Sequence, residues 1–412
     1  MSKYGLTTTI VHHEQQQAIE HNAVHKPIHV SCQYAFANAN ELVTAFQGTG
    51  GFTYSRQGTP TTSVLEDLIN TLEEGIGTIS FSSGMAALSA VFYSLLRQGD
   101  HLICSKFIFG NTKSLLTQLA HLGVEITFVD PCNAQEISAA IQDNSRMLFT
   151  ETIANPGTQV AALQEMGQLC KAHGLVYVID NTMTTPMLLK GKDVQADIVM
   201  HSLSKYICGH ANALGGSLTV TGLYDWSRYP NIYDDYKKGD VYHWGLLQLR
   251  KKGLRDVGAC MSSDAAHRIL MGAETFPIRM QRYCSTAQQL AEFLQNQAGI
   301  NKVTYPALSS HPEHQRCQDL FGGNGGALLA IELSDDVDCL AFLDELKLVV
   351  LATHLGDNRT LALPVARTIY HEMGPQKRAE MGIVDGLLRV SVGLEDPQDL
   401  IDDFANALKK LA

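Results

Sequence analysis

Three stretches of the chain set a reactive or anion-binding side chain directly after an apolar run of strand character. Lys205 lies in 200-MHSLSKYICGH-210, preceded by Ser202 and Ser204, immediately after 197-DIVM-200. Asp180 closes 175-LVYVI-179, and Ser83-Gly84-Met85 follows the strand-like Thr78-Ser82 and opens a helical pattern. A lysine amine condenses with an aldehyde to give a Schiff base. A carboxylate on a pyridine nitrogen keeps that ring protonated and able to accept carbanion electrons. The free N–H groups and positive dipole end of a helix hold a phosphate. Aldehyde, pyridine nitrogen and phosphate occur together in pyridoxal 5'-phosphate, which is the cofactor expected here. Ser202 and Ser204 add hydroxyl donors toward its phosphate. Singly, each feature has an ordinary structural reading: a solvated lysine, a turn aspartate, a serine N-cap. Three in order along one chain, each at a strand exit, favour one shared ligand.

Such residues need a sheet that lines up its strand exits, because in open parallel sheets ligands bind beyond the carboxyl ends of the strands. From about residue 75 to 220, strand-like pieces recur at Thr78-Ser82, His101-Ser105, Glu125-Val129, Met147-Glu151, Leu175-Asp180, Asp197-His201 and Gly216-Val220. Between them lie helical patterns, 84-GMAALSAVFYSLLRQG-99, 111-NTKSLLTQLAHLG-123 and 161-AALQEMGQLCKAHG-174, each ending at Gly. Alternating strands and helices with nearly continuous apolar strands predict an α/β fold with a mainly parallel sheet covered on both faces. Residues 1–60 carry few periodic signals and are expected to form an arm that orders against another surface, residues 61–260 the large α/β domain. Residues 261–412 are expected to form a smaller α+β domain: a long helical stretch over 262–297, the strand 326-GALLAIEL-333, a helix over 336–346, the strand 387-LLRVSVG-393 and a closing helix over 397–411.

The 412 residues, with 45% hydrophobic and 18% charged, suffice for a large buried core. The net charge of -11 and the scattered Lys and Arg argue against nucleic acid or an anionic membrane as partner. No apolar run approaches the roughly 20 residues of a membrane span, and the first twenty residues hold no unbroken apolar stretch of an export signal. Nine dispersed cysteines without a CxxC pair suit thiols in a reducing cytoplasm better than a disulfide framework. Cys208, close to Lys205, reads as a small buried thiol. Sixteen histidines show no metal-binding spacing, so no metal is expected.

The blocks 180-DNTMTTP-186, 201-HSLSKYICGH-210 and 389-RVSVGLED-396, in that order, resemble the cysteine/methionine metabolism family of pyridoxal-phosphate enzymes. That family holds cystathionine β- and γ-lyases, cystathionine γ-synthase, methionine γ-lyase and the O-acylhomoserine sulfhydrylases. The resemblance covers nearly the whole chain from 54-YSRQGTPTT-62 onward and implies fold type I. It implies that Lys205 is the Schiff-base lysine and Asp180 the partner of the pyridine nitrogen. Ser83, Gly84, Met85, Thr182, Ser202 and Ser204 match cofactor-binding positions. Asn155, in 151-ETIANPG-157, matches the residue that hydrogen-bonds the cofactor's hydroxyl, and Arg389 the one that forks onto the substrate α-carboxylate. Tyr54 and Arg56 match residues that reach the phosphate in the neighbouring subunit, which implies a homodimer at minimum and in this family a homotetramer.

Departures bear on the reaction. Where most members stack a tyrosine on the cofactor ring, 109-FGNT-112 offers Phe109, which keeps the stacking and loses the acidic hydroxyl. A carboxylate leaving group needs little protonation, whereas a thiolate with a pKa of about 8.5 gains from an acid, so Phe109 favours an O-acylhomoserine substrate. The stretch 54–62 points the other way, toward cystathionine β-lyases. Asn111 replaces the cysteine of methionine γ-lyases. His354, in 352-ATHLGD-357, stands where relatives carry a small or amide residue. Tyr233, Tyr236 or Tyr242, in the divergent 228–245, is a candidate source of the missing hydroxyl. The leading expectation is a cystathionine-cleaving C–S lyase with Lys205 protonating the departing thiol; the alternatives are a γ-replacement enzyme, either an O-succinyl- or O-acetylhomoserine sulfhydrylase or a cystathionine γ-synthase, and, remotely, a cofactor-binding protein without turnover. The amino-acid substrate is the only small-molecule partner expected.

Overall fold

In a computed structural model describing residues 4–16, 18–48, 50–380 and 382–411, the apolar runs form two sheets. The first contains β1 (Gly77–Phe81), β2 (His101–Ser105), β3 (Glu125–Val129), β4 (Ser145–Glu151), β5 (Val176–Asp180), β6 (Ile198–His201) and β7 (Gly216–Val220), in the order β1-β7-β6-β5-β4-β2-β3. Only β7 runs against its neighbours; the other pairings are parallel. Alternation within the strands explains how both faces are buried. Met147, Phe149, Val176 and Val178 join one core cluster, while Leu148, Tyr177 and Ile179 join the other. On the first face the helix Gly84–Leu95 packs Phe92 edge-on against Phe149, with centroids 5.5 Å apart. The helix Pro60–Glu73 opens with proline just inside a Thr59 capping box, and Leu163–His173 stops at Gly174 in the left-handed conformation.

The second sheet follows in the chain: β8 (Ile300–Thr304), β9 (Leu328–Leu333), β10 (Val350–Leu351), β11 (Leu361–Pro364) and β12 (Leu387–Ser391). Its order is β10-β11-β12-β9-β8, with β10 and β11 parallel and the rest antiparallel. The two strands expected from sequence are the central β9 and β12. The stretch expected as one long helix is two, Ser263–Ala273 and Phe276–Leu294, because Pro277 offers no N–H to the preceding turn. The segment expected to be an irregular arm holds the helices Leu6–Val11, which buries Ile10, and Ala39–Phe46, which leaves Leu42, Val43 and Phe46 exposed. Among the described residues no helix is long and apolar enough to cross a membrane.

Candidate active site

The carboxyl ends of β4, β5 and β6 meet the amino end of Gly84–Leu95 in one cavity. Glu151 and Asp180 end β4 and β5 and are partners in register. Asp180 accepts from the Thr182 N–H at 2.9 Å, and the Thr182 hydroxyl accepts from the Ser202 N–H at 2.8 Å, so the exits of β5 and β6 are stitched together. Ser83 caps the helix by accepting from the Ala86 N–H at 3.1 Å. At Gly84 an added Cβ would lie 2.9 Å from both Ser202 Cβ and Met200 Cε, so only glycine lets the helix end come this close to the β6 exit.

Lys205 sits in the turn after β6, its N–H donating to Ser202 O at 3.1 Å and its carbonyl accepting from Gly209. Its Nζ is 3.1 Å from His354 Nδ1. Arg389 comes from the middle of β12. Its Nη2 donates to the carbonyls of Thr353 and His354 at 2.8 and 2.9 Å, and Nη1 to Asn155 Oδ1 at 3.4 Å. Its Nε is buried and has no partner among the described residues, so the guanidinium keeps capacity for an anion.

Burial dominates the electrostatics. It holds Lys205 down at about 8, helped by the Arg389 charge and opposed by Asp180. Arg389 falls to about 10, and His354 to about 4, where the Lys205 charge adds to desolvation. Desolvation raises Glu151 to about 8, with the Asp180 charge reinforcing it and the Phe109 N–H, at 2.6 Å, opposing. Asp180 is raised by burial too, while the two hydrogen bonds from Thr182 resist. Burial therefore pushes Glu151 furthest toward its protonated form, while the Thr182 hydrogen bonds and the nearby His201 and Lys205 charges favour the ionised form of Asp180.

The cavity brings together Gly84, Met85, Phe109, Asn155, Asp180, Thr182, Ser202, Lys205 and Arg389. Others of the expected residues stand apart. Ser83 serves the helix from behind Gly84. The Ser204 hydroxyl, expected at the phosphate, is buried against Gly215 instead, donating to its carbonyl at 3.2 Å and accepting from its N–H at 2.9 Å. Tyr54 and Arg56 are exposed and stacked on each other at 5.4 Å, and Arg56 donates to the Arg255 carbonyl. Asn111 is exposed rather than against the ring position. None of Tyr233, Tyr236 and Tyr242 lines the cavity; Tyr233 lies under Arg97 and Lys252 on the surface. Sequence reasoning missed Glu151, although β4 ends on a carboxylate as β5 does, and the apolar lining of Leu88, Met183 and Leu355.

These donors fit pyridoxal phosphate. A half-buried amine, a carboxylate across the cavity and a helix end approachable only because Gly84 has no Cβ match its aldehyde, its ring nitrogen and its phosphate. A mainly parallel sheet with this arrangement at its strand exits is the architecture of fold type I pyridoxal-phosphate enzymes. Comparison with known proteins narrows the class. The model of the family described as Cys/Met metabolism PLP-dependent enzyme matches residues 7–409, and the chain belongs to that family. It is 34% identical to L-methionine gamma-lyase of Fusobacterium nucleatum subsp. polymorphum over 99% of each chain. It is 33% identical to cystathionine beta-lyase of Bacillus subtilis (strain 168), over 100% of this chain and 99% of the other. Among solved structures it resembles a Campylobacter jejuni protein assigned as an O-acetylhomoserine (thiol)-lyase, which carries N'-pyridoxyl-lysine-5'-monophosphate at its position 205. The TM-score is 0.92 and the identity 28%, covering 98% of this chain and 100% of that one.

Proposed function

We propose that this enzyme cleaves the carbon–sulfur bond of an amino-acid thioether of the cystathionine class, consuming water and releasing a thiol, a 2-oxo acid and ammonia. The observation that carries the reading is the half-buried Lys205 amine in contact with His354, a proton carrier in the cavity where Phe109 offers no hydroxyl. Bound pyridoxal phosphate supplies the electron sink that lets a Cα proton leave. The protein does the rest. Arg389 holds the α-carboxylate with its free donors, beside Asn155. Lys205 takes the Cα proton and delivers it to the departing sulfur; its pKa of about 8 lies close to the roughly 8.5 of a thiol, so the proton passes without a large penalty. Phe109, which lines the cavity with its N–H held by Glu151, would supply an apolar face for the cofactor ring. The two curated relatives described above, both carbon–sulfur lyases by name, support the same class.

Phe109 itself supports a second reading, γ-replacement on an O-acylhomoserine, whose carboxylate leaving group needs little protonation. One assay separates them. With cystathionine alone, pyruvate marks β-elimination and 2-oxobutyrate γ-elimination. With O-succinylhomoserine and sulfide, homocysteine marks replacement. A cystathionine rate far below the replacement rate removes the lyase reading.

We further propose that the working unit is a homo-oligomer, a dimer at least and a tetramer in the fuller expectation, in which Tyr54 and Arg56 serve the neighbouring chain's cofactor phosphate. Both are exposed and neither lines its own cavity, and the preceding segment carries the uncovered apolar side chains Leu42, Val43 and Phe46. Mixing inactive Arg56→Ala and Lys205→Ala chains should regenerate one intact site in each mixed dimer. Proven mixed dimers without recovered activity count against sharing.

A further inference from the structure

His354 is held more firmly than a residue on a cavity rim needs to be. Its carbonyl and that of Thr353 receive the two hydrogens of Arg389 Nη2. Two residues on, Gly356 has a φ of +74, and a Cβ there would meet Tyr206 N at 2.6 Å and the Lys205 carbonyl carbon at 2.9 Å. The Gly356 N–H is fixed by the Ser391 hydroxyl at 3.0 Å. The segment 353–356 thus presses on the backbone of Lys205 at one end and touches its amino group with the imidazole at the other. Below a pH of about 8 that amino group is an ammonium, which has three donors and no acceptor. His354 Nδ1 must then accept, and the imidazole proton sits on Nε2, which is buried and has no well-aligned acceptor among the described residues, although the Ser204 main chain also favours a proton on this ring.

We propose that His354 is a positioning residue: by accepting from Lys205 it holds the lysine amine over the reacting face whenever that amine is free of the cofactor. Lysine has a long flexible stem. A proton transfer loses rate steeply when its donor is misplaced, so a fixed acceptor matters most in the interval when Lys205 carries the proton. The neutral state of His354, whose pKa is held near 4, suits the role, because a charged imidazole would repel the ammonium. Arg389 ties this segment to the substrate position: its Nη2 hydrogens rest on the carbonyls of Thr353 and His354, which leaves Nε as the donor toward a carboxylate. The inference rests on Lys205 as the site's amine and is independent of which thioether is cleaved, so the substrate assay above and the experiment below fail separately.

The test uses cofactor-free enzyme, with acetic anhydride as the amine probe and mass spectrometry reading acetylation of Lys205 across pH. Wild type should reach half-maximal reactivity near pH 8. In His354→Leu the ammonium loses its acceptor, so the midpoint should fall by roughly one pH unit or more. His354→Asn, whose Oδ1 occupies the place of Nδ1, should restore most of it. In the loaded enzyme, His354→Leu should lower kcat on the order of 10²-fold and change KM little, since the main-chain carbonyls that hold Arg389 remain. An unmoved midpoint in His354→Leu overturns the proposal whatever kcat does, and so does a His354→Asn that behaves like the leucine variant. If His354→Leu does not fold, His354→Met takes its place with the same expectations.

Discussion

The two walls of the cavity carry opposite charges and meet burial in opposite ways. The strand exits of the first sheet contribute the acids Glu151 and Asp180; β12 of the second sheet and its β10–β11 loop contribute Arg389 and His354. Desolvation drives both sets toward their neutral forms, the acids upward and the bases downward. The difference lies in their partners. Glu151 and Asp180 are satisfied by main-chain N–H groups at 2.6 and 2.9 Å, donors that the fold itself fixes. Arg389 Nε and His354 Nε2 are buried and unmatched among the described residues. The acid wall is completed by folding, while the basic wall keeps binding capacity for a substrate. Cofactor and substrate should therefore depend on different walls.

The sharpest way to break that division is at Lys205, which reaches from one wall to the other. Lys205→Ala should lose the borohydride-trappable chromophore and lower turnover by roughly 10⁴-fold or more, since it removes both the covalent anchor and the proton carrier. A variant that still holds a reducible linkage would mean that another amine serves the site. Next in size is Arg389→Ala, which should raise KM by about 10²-fold through loss of charge-assisted hydrogen bonds while leaving cofactor absorbance intact. Arg389→Lys should recover only part of this, because one ammonium cannot reach the Thr353 and His354 carbonyls and a carboxylate with the fixed geometry of a guanidinium. Loss of cofactor from Arg389→Ala would join the walls that the structure separates.

The same division marks what was legible in the sequence. The acid wall follows from strand periodicity: apolar runs ending in Asp180, in the turn before Lys205 and in a glycine-opened helix announce their positions, because a parallel sheet aligns its exits. Glu151 obeyed that rule and was overlooked because its run, 145–151, continues into 152-TIANPG-157 without a break in composition. The basic wall is harder to read. β8 is half exposed, β10 has two residues and β11 ends on Pro364, so none shows a clean alternation. Arg389 was placed by family resemblance, and the contact between His354 and Lys205 joins residues 149 positions apart, a separation at which local pattern carries no signal. Ser204 shows the reverse error. A hydroxyl beside a cofactor lysine invites a phosphate reading, yet the turn after β6 directs it into the backbone of Gly215.

The smallest expected effect separates the two acids. Glu151→Gln keeps an oxygen that can accept from the Phe109 N–H and removes only a charge that the folded chain already suppresses. In the folded state this carboxyl holds its proton up to about pH 8; in the unfolded chain it loses it near 4.3. Between those values the folded state binds more protons, so wild-type stability falls as pH rises through the window. Glutamine has no proton to release, so the variant should match wild type near pH 4, gain on it steadily toward pH 8 and hold its advantage above, read as denaturation midpoints across pH. Its activity below pH 8 should stay within about twofold of wild type, because the residue it mimics is already neutral there. Asp180→Asn is the control with the opposite sign: under the proposed assignment that carboxylate would face the cofactor ring nitrogen, and removing it should weaken cofactor retention. Were Glu151→Gln to shed cofactor as Asp180→Asn does, the charge would reside on Glu151 or be shared, and the assignment of one neutral and one ionised acid to these neighbouring strand ends would have to be reversed.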